Sequence, residues 1–183
     1  MVGGAPVERR GQLVEAAFRR VAEVGFEGLR LRQVAEDVGI DHSTLHHHFA
    51  TKQDLVGAVA EFTTRQFWPT APAAPDPVSA LRAHLNALHR MIEERPELLV
   101  VTAELDLRAR RDPGVAAALA AQESGWRAEL TRTLAAGNAA GVWAVDPAAA
   151  GELVIAAVKG VRLAPALAGP VFAQLETLFL GTP

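Results

Sequence analysis

The chain has 183 residues, half of them apolar and 21% charged, with a formal net charge of −3 and no cysteine. That length suits one compact unit or a small head with a larger body, and the lack of thiols excludes disulfides, thiolate metal sites and cysteine nucleophiles. No apolar run approaches the ~20 residues of a membrane span, and MVGGAPVERRGQ lacks the basic-then-apolar order of a secretory leader, so a cytoplasmic protein with no membrane contact is expected.

Nearly every segment has helical patterning, and none shows sustained apolar/polar alternation between hairpin turns. A first helix is predicted over residues 7–24, with Val14, Phe18 and Val21 as its apolar stripe and Gly25 as its stop. A short second helix over 31–38 sets Leu31, Val34, Ala35 and Val38 on one face, and Gly39 ends it. Asp41 is an N-cap for a third helix over 42–49, pinned to the core by Leu45 and Phe49. Thr51 and Asp54 form a capping box that opens a fourth helix, carried over 51–68. PTAPAAPDP, with four prolines in nine residues, is a loop. Further helices are predicted over 78–94, 96–110, 114–136, 147–164 and 169–180, giving an all-α chain of about nine helices.

The most informative stretch is GLRLRQVAEDVGIDHSTLHHHFATKQDL, residues 28–55. Two short helices joined by a glycine turn make a helix-turn-helix, whose second helix enters the major groove by its N-terminal half. With Leu45 and Phe49 inward, Ser43, Thr44 and His47 face outward, flanked by His46 and His48. The composition supplies no basic footprint for this role: up to Gln66, eight Lys+Arg stand against nine Asp+Glu. Non-specific DNA affinity is therefore expected to be weak.

This stretch resembles the DNA-binding head of the TetR family of bacterial regulators. The matching elements are Gly25-Phe26, Gly28-Leu29, Val34-Ala35, Val38-Gly39-Ile40, Thr44-Leu45, His48-Phe49 and Lys52, in order and continuous over about fifty residues. The resemblance implies a three-helix head over 1–50 and a ligand-binding and dimerising body over 51–183, connected by the helix over 51–68. It further implies DNA contacts from Arg30, Leu31, Arg32, His42, Ser43, Thr44, His46, His47, His48 and Lys52. The chain departs from the family where tyrosine is usual, at His46, and it has no tyrosine at all. Histidine changes charge near neutrality, so three in a row predict a pH-dependent affinity.

A rival use of these histidines is metal binding. Consecutive helix positions diverge, which leaves only His42 and His46, four apart, able to share an ion, and no metal or cofactor is expected. His84 and His89, five apart, lie on different faces, and Arg108, Arg110 and Arg111 form a solvated helix end. Phe62, Phe67, Trp68, Leu85, His89, Met91 and Trp126, with Trp143, are candidate walls of an effector cavity. No Ser/His/Asp order, phosphate loop or carboxylate pair points to an enzyme.

Between Pro147 and Leu180 the charged residues are Glu152, Lys159, Arg162 and Glu176. Leu153, Val154, Val158 and Val161 make one apolar stripe and Val171, Leu175, Leu178 and Phe179 another, so a four-helix homodimer interface is expected. The sequence thus predicts a repressor that leaves a near-palindromic double-stranded operator on binding a small, mainly apolar effector. The alternatives are a metal- or pH-responsive regulator using the head histidines and a ligand-independent activator.

Overall fold

The computed structural model describes residues 6–72 and 74–180. The first five residues of the leader reading, and Ala73 of the proline-rich loop, lie outside the described residues. Nine α-helices and two 3-10 turns, with no strand, make up the regular structure of the described residues. The chain divides into two compact units: Met1–Gln66 with Val100–Leu119, and Phe67–Leu99 with Ala120–Pro183.

The first unit contains α1 (Pro6–Gly28), α2 (Leu31–Asp37), α3 (His42–His48) and α4 (Lys52–Arg65). Residues 100–109 of α6 (Pro96–Ala109) and 113–119 of α7 (Pro113–Ala139) complete it. Helix α1 packs on α4 through fully buried Leu13, Val21, Val56 and Val59, while Phe18 and Phe62 meet edge to face with ring centroids 5.3 Å apart. Gly25 breaks α1 at φ 66° and ψ 174°, a conformation only glycine adopts without strain. Asp41 and the Thr51/Asp54 capping box start α3 and α4 as predicted.

Two expectations need correcting. Helix α4 stops at Arg65 and not near residue 68, because Pro69 supplies no N–H and disfavours helix in the residue before it; Trp68–Thr70 is instead a 3-10 turn. Arg108 is half-buried and not a freely solvated end. Its guanidinium lies 5.2 Å from the centroid of the Phe26 ring, and it bonds Asp112 at 3.1 Å and Gln53 at 2.9 Å.

The second unit holds the 3-10 turn, α5 (Pro77–Glu94), the start of α6, the rest of α7, α8 (Pro147–Leu163) and α9 (Ala168–Leu180). Helix α9 packs on α5 and α8. Val154, Val158, Val161, Leu175 and Phe179 are buried inside this unit, so these five of the expected interface residues serve its own core. Periodicity finds an apolar face without telling which neighbour covers it. Leu153 and Leu178 are exposed, as are Leu163 and Leu167, which the stripes omitted, and Val171 is half-buried. Across the unit, Arg127 pairs with Glu123 at 2.9 Å and with Glu152, and Lys159 pairs with Glu123. No described helix is long and apolar enough to cross a membrane.

Candidate nucleic-acid interface

The geometry of the first unit begins with its two inward anchors. Leu45 and Phe49 are 0% and 1% exposed, which fixes the roll of α3 and leaves His42, Ser43, His46 and His47 on the surface. Thr44 and His48 are half-buried at the edges of that face. Arg10 lies over the Phe49 ring at 4.6 Å from its centroid and supports the C-terminal end of α3 from α1. The turn before α3 needs a left-handed residue, and Gly39 provides it at φ 71°.

Asp41 organises the start of α3. Its carboxylate accepts the Thr44 N–H at 2.8 Å, the Ser43 hydroxyl at 2.5 Å and the Thr44 hydroxyl at 2.8 Å. These donors, led by Ser43, hold the carboxyl well below the usual carboxylate range. The rings of His42 and His46 stand nearly perpendicular with centroids 4.5 Å apart. Among the described residues no group of three or more His, Asp or Glu side chains is gathered to hold a metal ion.

The basic side chains are more occupied than the sequence suggests. Arg30 turns back to donate to the carbonyls of Glu27 at 2.6 Å and Leu29 at 3.3 Å. Arg32 is mostly exposed and pairs with Glu36 at 3.0 Å, while Leu31 between them is half-buried. Lys52 donates to the carbonyl of Phe26 at 3.0 Å, tying the start of α4 to the end of α1. Burial pushes its ammonium below the usual lysine range, reinforced by the neighbouring charges of Arg30 and Arg108.

Behind Lys52 is a network that sequence reasoning did not find. The Phe26 N–H donates to Glu104 at 3.1 Å, and Gln53 donates to Asp112 at 2.5 Å. Asp112 also accepts the N–H groups of Gly114 and Val115 at the start of α7. Burial pushes the Asp112 carboxyl up, but its bonds from Gln53, Val115 and Arg108 outweigh this and lower it. Phe26, Gln53, Glu104, Arg108 and Asp112, with Glu27, Leu107, Arg111 and Pro113, line a cleft of about 600 Å³.

The candidate effector residues do not all come together. Phe62 belongs to the first unit, against Phe18; the others fall in the second. There the buried His84 ring is held through Nδ1 by the Thr70 carbonyl, and its Nε2 accepts the Trp126 indole N–H at 2.9 Å. Arg162 stacks over Phe67 at 4.5 Å and Trp126 at 5.9 Å from the ring centroids. Leu85 is buried, Met91 half-buried, and His89 stacks on Phe172 with centroids 4.8 Å apart. Trp68 is 66% exposed and joins no such cluster. Trp143 bonds the Leu134 carbonyl at 2.8 Å, a structural role that the sequence left open.

Residues 13–59 match the family model described as bacterial regulatory proteins, tetR family. The HTH-type transcriptional regulator BetI of Burkholderia cenocepacia (strain HI2424) is 34% identical over 84 residues, 43% of each chain. The HTH-type transcriptional repressor KstR2 of Mycobacterium tuberculosis is 40% identical over 55 residues, 30% of this chain and 28% of its own. The match thus spans less than half the length of these relatives. Among solved structures, a TetR transcription regulator from Haloarcula marismortui superposes with a TM-score of 0.83 at 19% identity, covering 94% of this chain and 97% of its own. AibR, solved in complex with isovaleryl coenzyme A and operator DNA, superposes at 0.76 with 17% identity over 96% and 100%. These likenesses extend the shared fold over nearly the whole chain.

Proposed function

We propose that this chain, whose residues 13–59 match the family model of bacterial regulatory proteins, tetR family, is a dimeric repressor of that type that binds a near-palindromic operator and leaves it on binding a small organic effector. The observation that carries the DNA-binding part is the roll of α3: Leu45 and Phe49 are buried, and Ser43, His46 and His47 are presented to solvent. On this reading the operator is contacted by Arg30, Leu31, Arg32, His42, Ser43, Thr44, His46, His47, His48 and Lys52. Arg30 and Lys52 donate to backbone carbonyls here and keep further N–H donors for phosphates.

A single short helix reads few base pairs, so specificity calls for two heads about 34–36 Å apart on one face of the duplex. Exposed Leu153, Leu163, Leu167 and Leu178 of the α8–α9 region support pairing of two second units. The aromatic cluster of Phe67, Trp126 and His84, with Leu85, Met91 and His89 on the same helix as His84, favours an apolar or aromatic effector. An effector acts to the extent that it binds one arrangement of the dimer better than the other.

Selection from random duplex DNA with the full-length protein tests the reading. The expected outcome is a near-palindrome with half-sites one helical turn apart. Enrichment of no sequence would overturn it. Isovaleryl coenzyme A, the ligand of the structural relative AibR, is a first effector probe; loss of operator retention in its presence would support release.

A further inference from the structure

We infer that Asp41 fixes the Ser43 and Thr44 hydroxyls as hydrogen-bond acceptors toward DNA, so that α3 selects adenine or cytosine on the strand it touches. The inference rests on the DNA-binding reading above and adds the class of base that this face recognises.

A hydroxyl has one proton to donate and two lone pairs to accept with. The Ser43 and Thr44 hydroxyls each lie within hydrogen-bond distance of an Asp41 carboxylate oxygen, at 2.5 and 2.8 Å. An ionised carboxylate only accepts, so both hydroxyl protons point at Asp41. The same carboxylate accepts the Thr44 N–H at 2.8 Å, which leaves it no reason to turn away. Its low pKa keeps it ionised at any pH where the protein is handled. What Ser43 and Thr44 have left to offer is lone pairs.

The consequence for the major groove is specific. Guanine O6 and N7, thymine O4 and the phosphate oxygens are acceptors, and an acceptor-only hydroxyl makes no hydrogen bond with them. Adenine N6 and cytosine N4 are donors. Every base pair carries one such amino group in the major groove, on one of its strands. An acceptor-only reader therefore tells A·T from T·A and C·G from G·C, and does not tell A·T from C·G. The signature is a half-site position where one strand tolerates A or C and rejects T and G. A hydroxyl free to rotate donates or accepts as the base requires and leaves no such pattern.

Selection from random duplex DNA is run on the full-length protein, on Asp41→Ser and on the double variant Ser43→Ala/Thr44→Val. Serine at position 41 still caps α3 by accepting the Thr44 N–H, but its single oxygen cannot hold both hydroxyl protons. The double variant keeps Asp41 and its cap, and so remains informative if Asp41→Ser folds poorly. For the parent we expect one or two adjacent half-site positions with A or C over T or G by at least about fivefold. In both variants this ratio should fall below about twofold there, with the other positions unchanged. A role for Asp41 in helix capping alone would weaken binding to all sequences and leave the ratio intact, which would overturn the inference. So would a parental operator that lacks such a position. A parent that enriches no sequence at all would overturn the DNA-binding reading, and this inference with it.

Discussion

His84 shows how a single residue couples chemistry to stability. The Thr70 carbonyl accepts from Nδ1 and the Trp126 indole donates to Nε2, so the ring is a neutral tautomer with the proton on Nδ1. Burial pushes its pKa below the usual histidine value, only partly opposed by the Thr70 carbonyl. With a depressed folded-state pKa, the unfolded chain takes up the proton first as pH falls. Stability is therefore lost on acidification below the ordinary histidine range of about 6.5. The lowered carboxylates Asp37, Asp41 and Asp112 act in a lower window, because their stabilisation persists until pH falls below about 4. Urea midpoints measured between pH 7.5 and 5 should fall for the parent. They should fall less for His84→Asn, whose amide replaces the Nδ1 donor without titrating. Equal slopes in the two proteins would show that His84 does not carry the effect.

At the scale of elements, α4 begins with a reciprocal cap: the Thr51 hydroxyl accepts the Asp54 N–H at 3.1 Å, and the Asp54 carboxylate accepts the Thr51 N–H at 2.9 Å. Thr51→Ala should cost about 1 kcal/mol, read as a lower urea midpoint with an unchanged denaturant slope. This cap was legible in the sequence because its partners are three residues apart. Gly39 and Asp41 were legible for the same local reason, and the four-residue spacing of Leu45 and Phe49 gave the roll of α3. Long-range pairing was not legible. Glu104 reaches Phe26 across 78 positions and Arg108 reaches Gln53 across 55, which is how residues 100–119 join the first unit. No periodicity encodes those partners, and a run containing Arg108, Arg110 and Arg111 looks like solvated surface until Phe26 is placed under one of them. The proton direction at Ser43 follows from local sequence too, since Asp41 stands two residues before it, but a helix cap alone does not require both hydroxyls to turn to that carboxylate.

At the scale of the whole molecule, the question is what covers the apolar surface of α8 and α9. Leu153, Leu163, Leu167 and Leu178 are 49%, 75%, 53% and 57% exposed, and Ala156 and Gly160 lie exposed between the first two. Leu153, Ala156, Gly160 and Leu163 recur at spacings of three and four, which lays them along one face of α8. Small residues at Ala156 and Gly160 let a second helix approach closely, and nothing contacts a Cβ built on Gly160. A second copy presenting the same stripe about a twofold axis would bury Leu153 and Leu163, with exposed Leu167 and Leu178 following on the next two elements of the chain. Charge placed there should separate the copies without disturbing the core, because Val154, Val158 and Val161 point into the unit itself. The double variant Leu153→Arg/Leu178→Arg should therefore sediment as a monomer while keeping the helical circular dichroism of the parent. Its operator affinity should fall by about 10²–10⁴-fold, since two linked heads bind far more tightly than either alone. Binding to an isolated half-site, measured in the same buffer, should change little. A variant that stays dimeric, or a monomer that holds the full operator as tightly as the parent, would refute pairing through this face.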